Sequence, residues 1–461
     1  MSGPVCNVWV IWVHGSVGNQ ADFYGGMNMM VCLLSGSKKR YFVPLVVFGL
    51  VLAAAAQEIT IKPVNPTAVY RAGEPAVWSV SVAKEGVPLN GTAKFSIKKG
   101  GLTLLQEGEV ALKNGSATVE AARNDPGALL LEVSCGNSTN YGGAVFSPEQ
   151  ILPSAEEPAD FDSFWQSKIA ELQSVPMNVT LEKVEISGDV DYWKITMDNI
   201  RGSRIYGQIA KPKNSDGVLP AMVQFQYAGI YPLKQEWVVD PAKEGWLAMN
   251  IIAHDLPIDR EESFYQEKKN DDLNTYPAIG CEDRDTSYFL RMYLSCYRAV
   301  DYLTKRPDWN SEVMLVTGTS QGGMQAVAAA GLHPSVTAIT ANVPAGCDLT
   351  GKLADRAPGW PVWSWSSKES AMGMSKYYDV VNFARRVKSS ALIGVGAIDR
   401  VCPPEGVTAM FNQLQGPKRL IVYPVGGHNG SDGSHKQYQE LVPVWRNALR
   451  TGLPQIGRAH V

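Results

Sequence analysis

The chain has 461 residues, 45% of them hydrophobic and 19% charged, with a formal net charge of -3. That length buries a large core and predicts two or three domains. Neither the charge balance nor any Lys/Arg cluster offers a footprint for nucleic acid or another polyanion, and no solenoid or propeller repeat is visible.

Residues 1–56 read as a leader. Lys38-Lys39-Arg40 precedes an apolar run at 41–52, and Ala54-Ala55-Ala56 supplies small residues before Gln57. Together these make the three regions of a secretory signal over about residues 30–56, which predicts a secreted or periplasmic protein. The run is too short for a membrane span and no cysteine stands at the cleavage point, so no stable membrane insertion is expected after cleavage. The residues before Met29 lie upstream of any sensible signal, which points to Met29 or Met30 as initiator. Cys6 and Cys32 fall in the leader. Cys135, Cys281, Cys296, Cys347 and Cys402 are odd in number and match no zinc spacing. They read either as buried small hydrophobes or, given export, as disulfide partners.

Residues 57–150 alternate apolar and polar side chains, at 76–82, 93–97, 108–112, 117–120 and 129–133. The segments are separated by Gly86-Val87-Pro88, Lys99-Gly100-Gly101, Asn114-Gly115 and Asp125-Pro126-Gly127, which is hairpin chemistry. The rhythm predicts a small all-β sandwich, with Trp78 read as core rather than as a sugar platform, and it resembles that of the immunoglobulin-like modules fused ahead of bacterial carbohydrate enzymes. The Pro- and acid-rich run SPEQILPSAEEPAD at 147–160 sets a domain boundary, and residues 151–455 form the second domain.

A helix capped by Asp160 follows, with Phe161, Phe164, Trp165, Ile169 and Leu172 on one face. Strands at 181–186, 191–197 and 204–210 look antiparallel. The pattern then changes to apolar strands at 220–225, 246–252, 313–317, 391–395 and 420–423, with helices at 287–304 and after Pro403-Pro404. This strand-helix alternation predicts an α/β fold, a mostly parallel sheet covered on both faces.

Gly318-Thr319-Ser320-Gln321-Gly322 matches G-x-S-x-G between an apolar strand and a small-residue helix, the context of a nucleophile elbow. A serine hydroxyl is a weak nucleophile, so Ser320 needs a histidine base held by a carboxylate. In an α/β-hydrolase these arrive in the order Ser, Asp, His. Asp399 and His428 each follow a predicted strand; Asp432 and His435 are the rivals. The oxyanion donors expected are the amide of Gln321 and one within Gln226-Tyr227-Ala228-Gly229. No metal or organic cofactor is implied.

From residue 160 to about 449 the chain resembles the acetyl xylan esterase and cephalosporin C deacetylase family of α/β-hydrolases. FDSFWQSKIAEL is similar to the family's leading helix, GTSQGG to its elbow, and VGAIDRVCPPEGVTAMFNQLQGPKRLIVYPVGGH to its aspartate and histidine segment. The resemblance implies a triad of Ser320, Asp399 and His428, with oxyanion amides on Gln321 and on Tyr227 or Ala228. It implies hydrolysis of acetyl esters on small sugars, above all O-acetyl groups of xylan or xylo-oligosaccharides, and leaves a homo-oligomer open.

The family's Arg-Gly-Gln motif is replaced by His254-Asp255-Leu256, and its glutamate after the histidine by Asn429. His254 and Asp255 therefore read either as a structural stand-in or as substrate contacts. Trp360, Trp363 and Trp365 either stack a sugar over the pocket or anchor their loop or a subunit interface. Two rival functions remain: a prolyl-oligopeptidase-like serine peptidase, although no propeller precedes the hydrolase region, and a non-catalytic carbohydrate-binding or adhesion protein. The tail at 456–461 reads as an artefact without function.

Overall fold

The computed structural model describes residues 57–213, 215, 217–363 and 368–452. The expected leader with Cys6 and Cys32, the expected tail at 456–461, and Trp365 lie outside the described residues.

Alternation in the first hundred described residues becomes nine strands: β1 (Gln57–Pro63), β2 (Val69–Tyr70), β3 (Pro75–Lys84), β4 (Val87–Pro88), β5 (Gly91–Lys99), β6 (Thr103–Leu112), β7 (Ser116–Ala122), β8 (Gly127–Cys135) and β9 (Ser138–Phe146). One sheet runs β1-β3-β4 with β7 also paired to β3, and the other runs β2-β9-β8-β5-β6. On β3 the residues Ala76, Trp78, Val80 and Val82 are buried while their neighbours turn outward, the period-2 signature of a sheet with one face in a core. Trp78 lies fully inside and donates Nε1-H to the Gly143 carbonyl at 3.1 Å. Asn114 and Gly115, with φ of 49° and 73°, make the tight link from β6 to β7 that their sequence announces.

The remaining strands form one nine-stranded sheet: β10 (Thr180–Val184), β11 (Val190–Asp198), β12 (Arg204–Pro212), β13 (Leu219–Phe225), β14 (Leu247–Ile251), β15 (Trp309–Thr319), β16 (Ala338–Asn342), β17 (Ser390–Gly396) and β18 (Lys418–Tyr423). Their order is β10-β11-β12-β14-β13-β15-β16-β17-β18. Pairing from β14 across to β18 is parallel, and the three preceding strands add antiparallel at one edge.

The helices are α1 (Phe161–Ser174), α2 (Glu236–Lys243), α3 (Glu262–Asn270), α4 (Tyr288–Thr304), α5 (Gln321–Leu332), α6 (Glu369–Tyr378), α7 (Val380–Ala384), α8 (Pro404–Gln413) and α9 (Lys436–Thr451). Val223, Met249, Val316 and Ile393 face one core shared with α1, α4, α5, α7 and α8. Met222, Ala248, Leu315 and Leu392 face the other, with α2 and α9. Because adjacent residues on one strand feed opposite cores, these strands read as continuous apolar runs. Each of these side chains larger than alanine contributes roughly 1.5–3 kcal/mol by leaving water.

Asp160 precedes α1 but does not cap it. Its carboxylate instead accepts from Arg284 Nη1 at 2.6 Å and Tyr377 OH at 2.5 Å, a charged partner outcompeting the helix amides. The carbonyls at the far end of α1 are met by the buried Arg298 guanidinium, which donates to Leu172 and Val175. Among the described residues all five cysteines are free thiols, and Cys296, Cys347 and Cys402 are buried, as the small-hydrophobe reading has it. No helix among the described residues is long and apolar enough to cross a membrane.

Candidate active site

Ser320 sits at the corner between β15 and α5 with φ 55° and ψ -121°, a conformation that costs a non-glycine residue about 1–3 kcal/mol and persists only where its surroundings enforce it. They do. Its N-H donates to the Asn342 carbonyl at 2.9 Å, and its own carbonyl accepts from Met324 and Ala345, each at 3.0 Å. The flanking glycines are required by close approach: a Cβ on Gly318 would lie 2.2 Å from the Gly322 carbonyl carbon, and one on Gly322 would lie 2.4 Å from the Phe225 oxygen.

Parallel pairing puts the ends of β15, β16 and β17 side by side, and the loop after each converges on Ser320. Asp399 follows β17 with its side chain fully buried, and His428 follows β18 with a quarter of its side chain exposed. Asp399 Oδ1 accepts from the amides of Val401 and Cys402, both at 2.8 Å, which aims Oδ2 at His428 Nδ1, also 2.8 Å away. A carboxylate can only accept, so the ring proton resides on Nδ1 and Nε2 is left to accept from Ser320 Oγ at 2.9 Å. The chain of hydrogen bonds from carboxylate to imidazole to hydroxyl is unbroken.

The two rival residues lie elsewhere. His435 is buried and stacked on Tyr423 with ring centres 4.2 Å apart; it accepts from Asn342 Nδ2 at 3.2 Å and donates to the Gly427 carbonyl at 2.9 Å. It supports the segment carrying His428 from below. Asp432 is exposed and accepts from Ser434 N and Oγ in a local turn.

The loop after β13 is pinned at three carbonyls. Gln325 Nε2 donates to Gln226 O at 2.9 Å, Tyr231 OH to Tyr227 O at 2.8 Å, and His254 Nε2 to Gly229 O at 3.1 Å. Gln226 itself reaches Ala253 N and Tyr231 O with its side chain. With the carbonyls held from behind, the N-H groups of Tyr227, Ala228 and Gln321 donate to no acceptor among the described residues. Gln321 also accepts from Tyr276 OH at 2.5 Å, while its buried Nε2 has no partner among the described residues. Burial raises the Tyr276 and Tyr231 phenols above their usual range, so both remain donors.

His254 is fully buried, with both ring nitrogens in use, since Nδ1 accepts from Tyr288 OH at 2.8 Å. Burial, reinforced by the Arg291 guanidinium, pushes its pKa down to about 3. A neutral, enclosed imidazole with both nitrogens engaged holds the loop, an arrangement that fits a structural stand-in better than a substrate contact. Asp255 is exposed, but it lines a cleft of about 600 Å³ that includes Arg201, Lys268 and Arg291 and none of Ser320, Asp399 or His428.

Trp363 fits the loop-anchor alternative. It is 5% exposed, packs edge-on to Phe289 at 5.0 Å and donates Nε1-H to Pro277 O at 2.7 Å, so no indole face is left for a sugar. Trp360 is half-buried against Tyr276 and Phe289.

One group of metal-ligand side chains occurs among the described residues: donors of Asp399, Cys402 and His428 within 4.8 Å of one another. Burial pushes the Cys402 thiol well up, with Asp399 and Cys347 adding to the effect. A cation there would displace the proton that His428 shares with Asp399.

Sequence reasoning missed Tyr276, Gln325 and Asn342, and it named Gln226 and His435 only as part of the oxyanion loop and as a rival base. Asn342 carries a signal, being a polar residue at the C-terminal end of an apolar strand, where such sheets place polar function.

The acetyl xylan esterase (AXE1) family model matches residues 149–442. The acetyl esterase Axe7A of Xylanibacter ruminicola is 32% identical over 410 residues, covering 85% of this chain and 93% of that protein. Among solved structures, the acetyl xylan esterase from Paenibacillus sp. R4 superposes with a TM-score of 0.56 at 23% identity, over 64% of this chain and 98% of that one. Acetyl xylan esterase 1 from Thermoanaerobacterium sp. JW/SL YS485 gives 0.55 at 22%, over 66% and 97%. These two establish the α/β-hydrolase fold of the nine-stranded region. By the family match and the long relative together, the chain belongs to the acetyl xylan esterase family and is a carboxylic ester hydrolase.

Proposed function

We propose that the protein is an exported serine esterase that removes O-acetyl groups from xylan, xylo-oligosaccharides or other small acetylated sugars through an acetyl-enzyme. The observation that carries this reading is the hydrogen-bond chain from Asp399 through His428 to Ser320. As Ser320 Oγ attacks the acetyl carbonyl, His428 Nε2 takes its proton, and Asp399 stabilises the resulting imidazolium. The negative charge that collects on the carbonyl oxygen is met by the N-H of Gln321 and that of Tyr227 or Ala228, each in a peptide unit whose carbonyl, that of Ser320, Gln226 or Tyr227, is already held and so needs no reorganisation. His428 returns its proton to the departing sugar hydroxyl. Water then repeats the sequence on the acetyl-Ser320 ester, releasing acetate.

The acetyl ester and the sugar as substrate are supported by the family and by the names of the relatives. Export is supported by the Lys38-Lys39-Arg40 and apolar pattern; an N-terminus of the secreted protein beginning upstream of Ala53 would contradict it. The test of the chemistry is hydrolysis of an aryl acetate and of a prolyl amide by wild type and Ser320→Ala. The expected result is acetate release that falls by about 10³-fold or more in the variant, with no turnover of the amide. Amide turnover would favour a peptidase, and no turnover of either substrate a binding protein.

A further inference from the structure

The sandwich carries a buried charge that the chemistry above does not use. Arg123, just beyond β7, is 9% exposed. Its Nη1 donates to the Ala128 carbonyl at 2.9 Å and to Glu405 Oε1, and its Nε and Nη2 hold Asp125. Glu405 is 1% exposed and stands in the first turn of α8, in the hydrolase region. Its Oε1 also accepts from the amide of Ala128, at the start of β8. Its Oε2 lies 3.7 Å from Arg356 Nε, which in turn donates to Asp348 at 2.7 Å.

Glu405 is six residues beyond Asp399, and little slack separates them. The amides of Val401 and Cys402 hold the Asp399 carboxylate, and Pro403-Pro404, each with φ locked by its ring, joins them to Glu405. The other end of the same loop is also held by the sandwich. A Cβ on Gly143 of β9 would lie 2.2 Å from the Ala397 carbonyl, and the Arg400 guanidinium lies 4.4 Å over the ring of Tyr141. Segment 397–405 is thus gripped at three points by β8 and β9, with Asp399 between them.

A buried ion pair is a poor choice for stability alone, because desolvating both charges cancels much of their attraction and an apolar pair packs as well. What it supplies is direction. We propose that Arg123, acting through Glu405, is a positioning residue: the β-sandwich sets the carboxylate of Asp399 against His428. This rests on the Ser320-His428-Asp399 reading of the site.

The test is a double-mutant cycle in the full-length enzyme, read as kcat and KM on an aryl acetate across pH. Arg123→Ala is expected to lower kcat about 10- to 100-fold, the scale on which a misplacement remote from the chemistry is felt. KM should stay within about twofold, and the acid limb of the kcat/KM profile should move to lower pH, because a displaced carboxylate no longer favours the imidazolium. Arg123→Lys should recover part of the loss. In an Asp399→Asn background Arg123→Ala should cost nothing further, since the group it positions is already gone.

Independent, multiplying losses in the double variant would overturn the proposal, as would an Arg123→Ala enzyme that loses thermal stability and keeps its kcat and pH profile. If Arg123→Ala does not fold, Glu405→Gln carries the same cycle with an isosteric side chain. A normal rate for Asp399→Asn alone would instead refute the triad on which the proposal stands.

Discussion

His254 holds the loop after β13 from within the fold, through the Gly229 carbonyl. Enclosed between Tyr288 and the Gly229 carbonyl, it stays neutral because no water or anion can solvate its cation. With the folded pKa near 3 and the unfolded one near 6.5, the unfolded chain binds the extra proton below pH 6.5 and the folded chain does not. Stability therefore rises with pH over this window and is lost as pH falls from about 6.5 toward 3. Between pH 7 and pH 5 the loss attributable to this residue is about 2 kcal/mol. His254→Gln cannot be protonated, so its unfolding free energy should decline less over that interval by about the same amount. Parallel pH curves for the two proteins would show that the ring is not held neutral.

At the scale of elements, the strand-turn-helix of β15 and α5 works because two glycines remove the atoms that would keep its arms apart. Gly322→Ala places a methyl 2.4 Å from the Phe225 oxygen, a backbone atom at the end of β13 that cannot step aside. The variant should lose about 3 kcal/mol of stability and most of its activity, because the loop displaced is the one carrying Tyr227. Thermal unfolding and aryl acetate hydrolysis together check this; an unchanged midpoint with full activity would mean that the corner can spread. This elbow was legible in the sequence because its chemistry is local. The helices α2 and α9 were not, since Pro241 and Pro443 interrupt their patterns. Helix α3 buries only Tyr265 and offers no apolar stripe. Strand β16 is five small or short residues, AITAN, whose identity as a strand comes from its neighbours β15 and β17. The tryptophan loop left two readings open for a related reason: indoles in an insert suit a surface or an anchor equally, and it is packing on Phe289 and Tyr378 that draws Trp363 inside.

Across the whole molecule, the order of Ser320, Asp399 and His428 could be read because each follows a strand, and parallel strands deliver their ends to one edge. The shell around them could not. Gln226, Gln325, Asn342 and His435 meet only through sheet register, in which Phe225 lies opposite Gly318 and Asn342 opposite Thr319. The same holds for the sandwich: its strand rhythm was legible, but not that the fold sets it against segment 397–405. Asp399 thus lies in a segment that both regions of the chain contact, and the proposal that joins it to His428 and Ser320 is that the acetyl group passes through Ser320. Rapid quenching of wild type during turnover of an acetylated xylo-oligosaccharide, followed by peptide mass analysis, tests that claim most directly. A transient acetyl group is expected on the peptide bearing Ser320, absent from Ser320→Ala, whose acetate release also collapses. Acetate release at the wild-type rate by Ser320→Ala, or an acetyl group on a different residue, would contradict it.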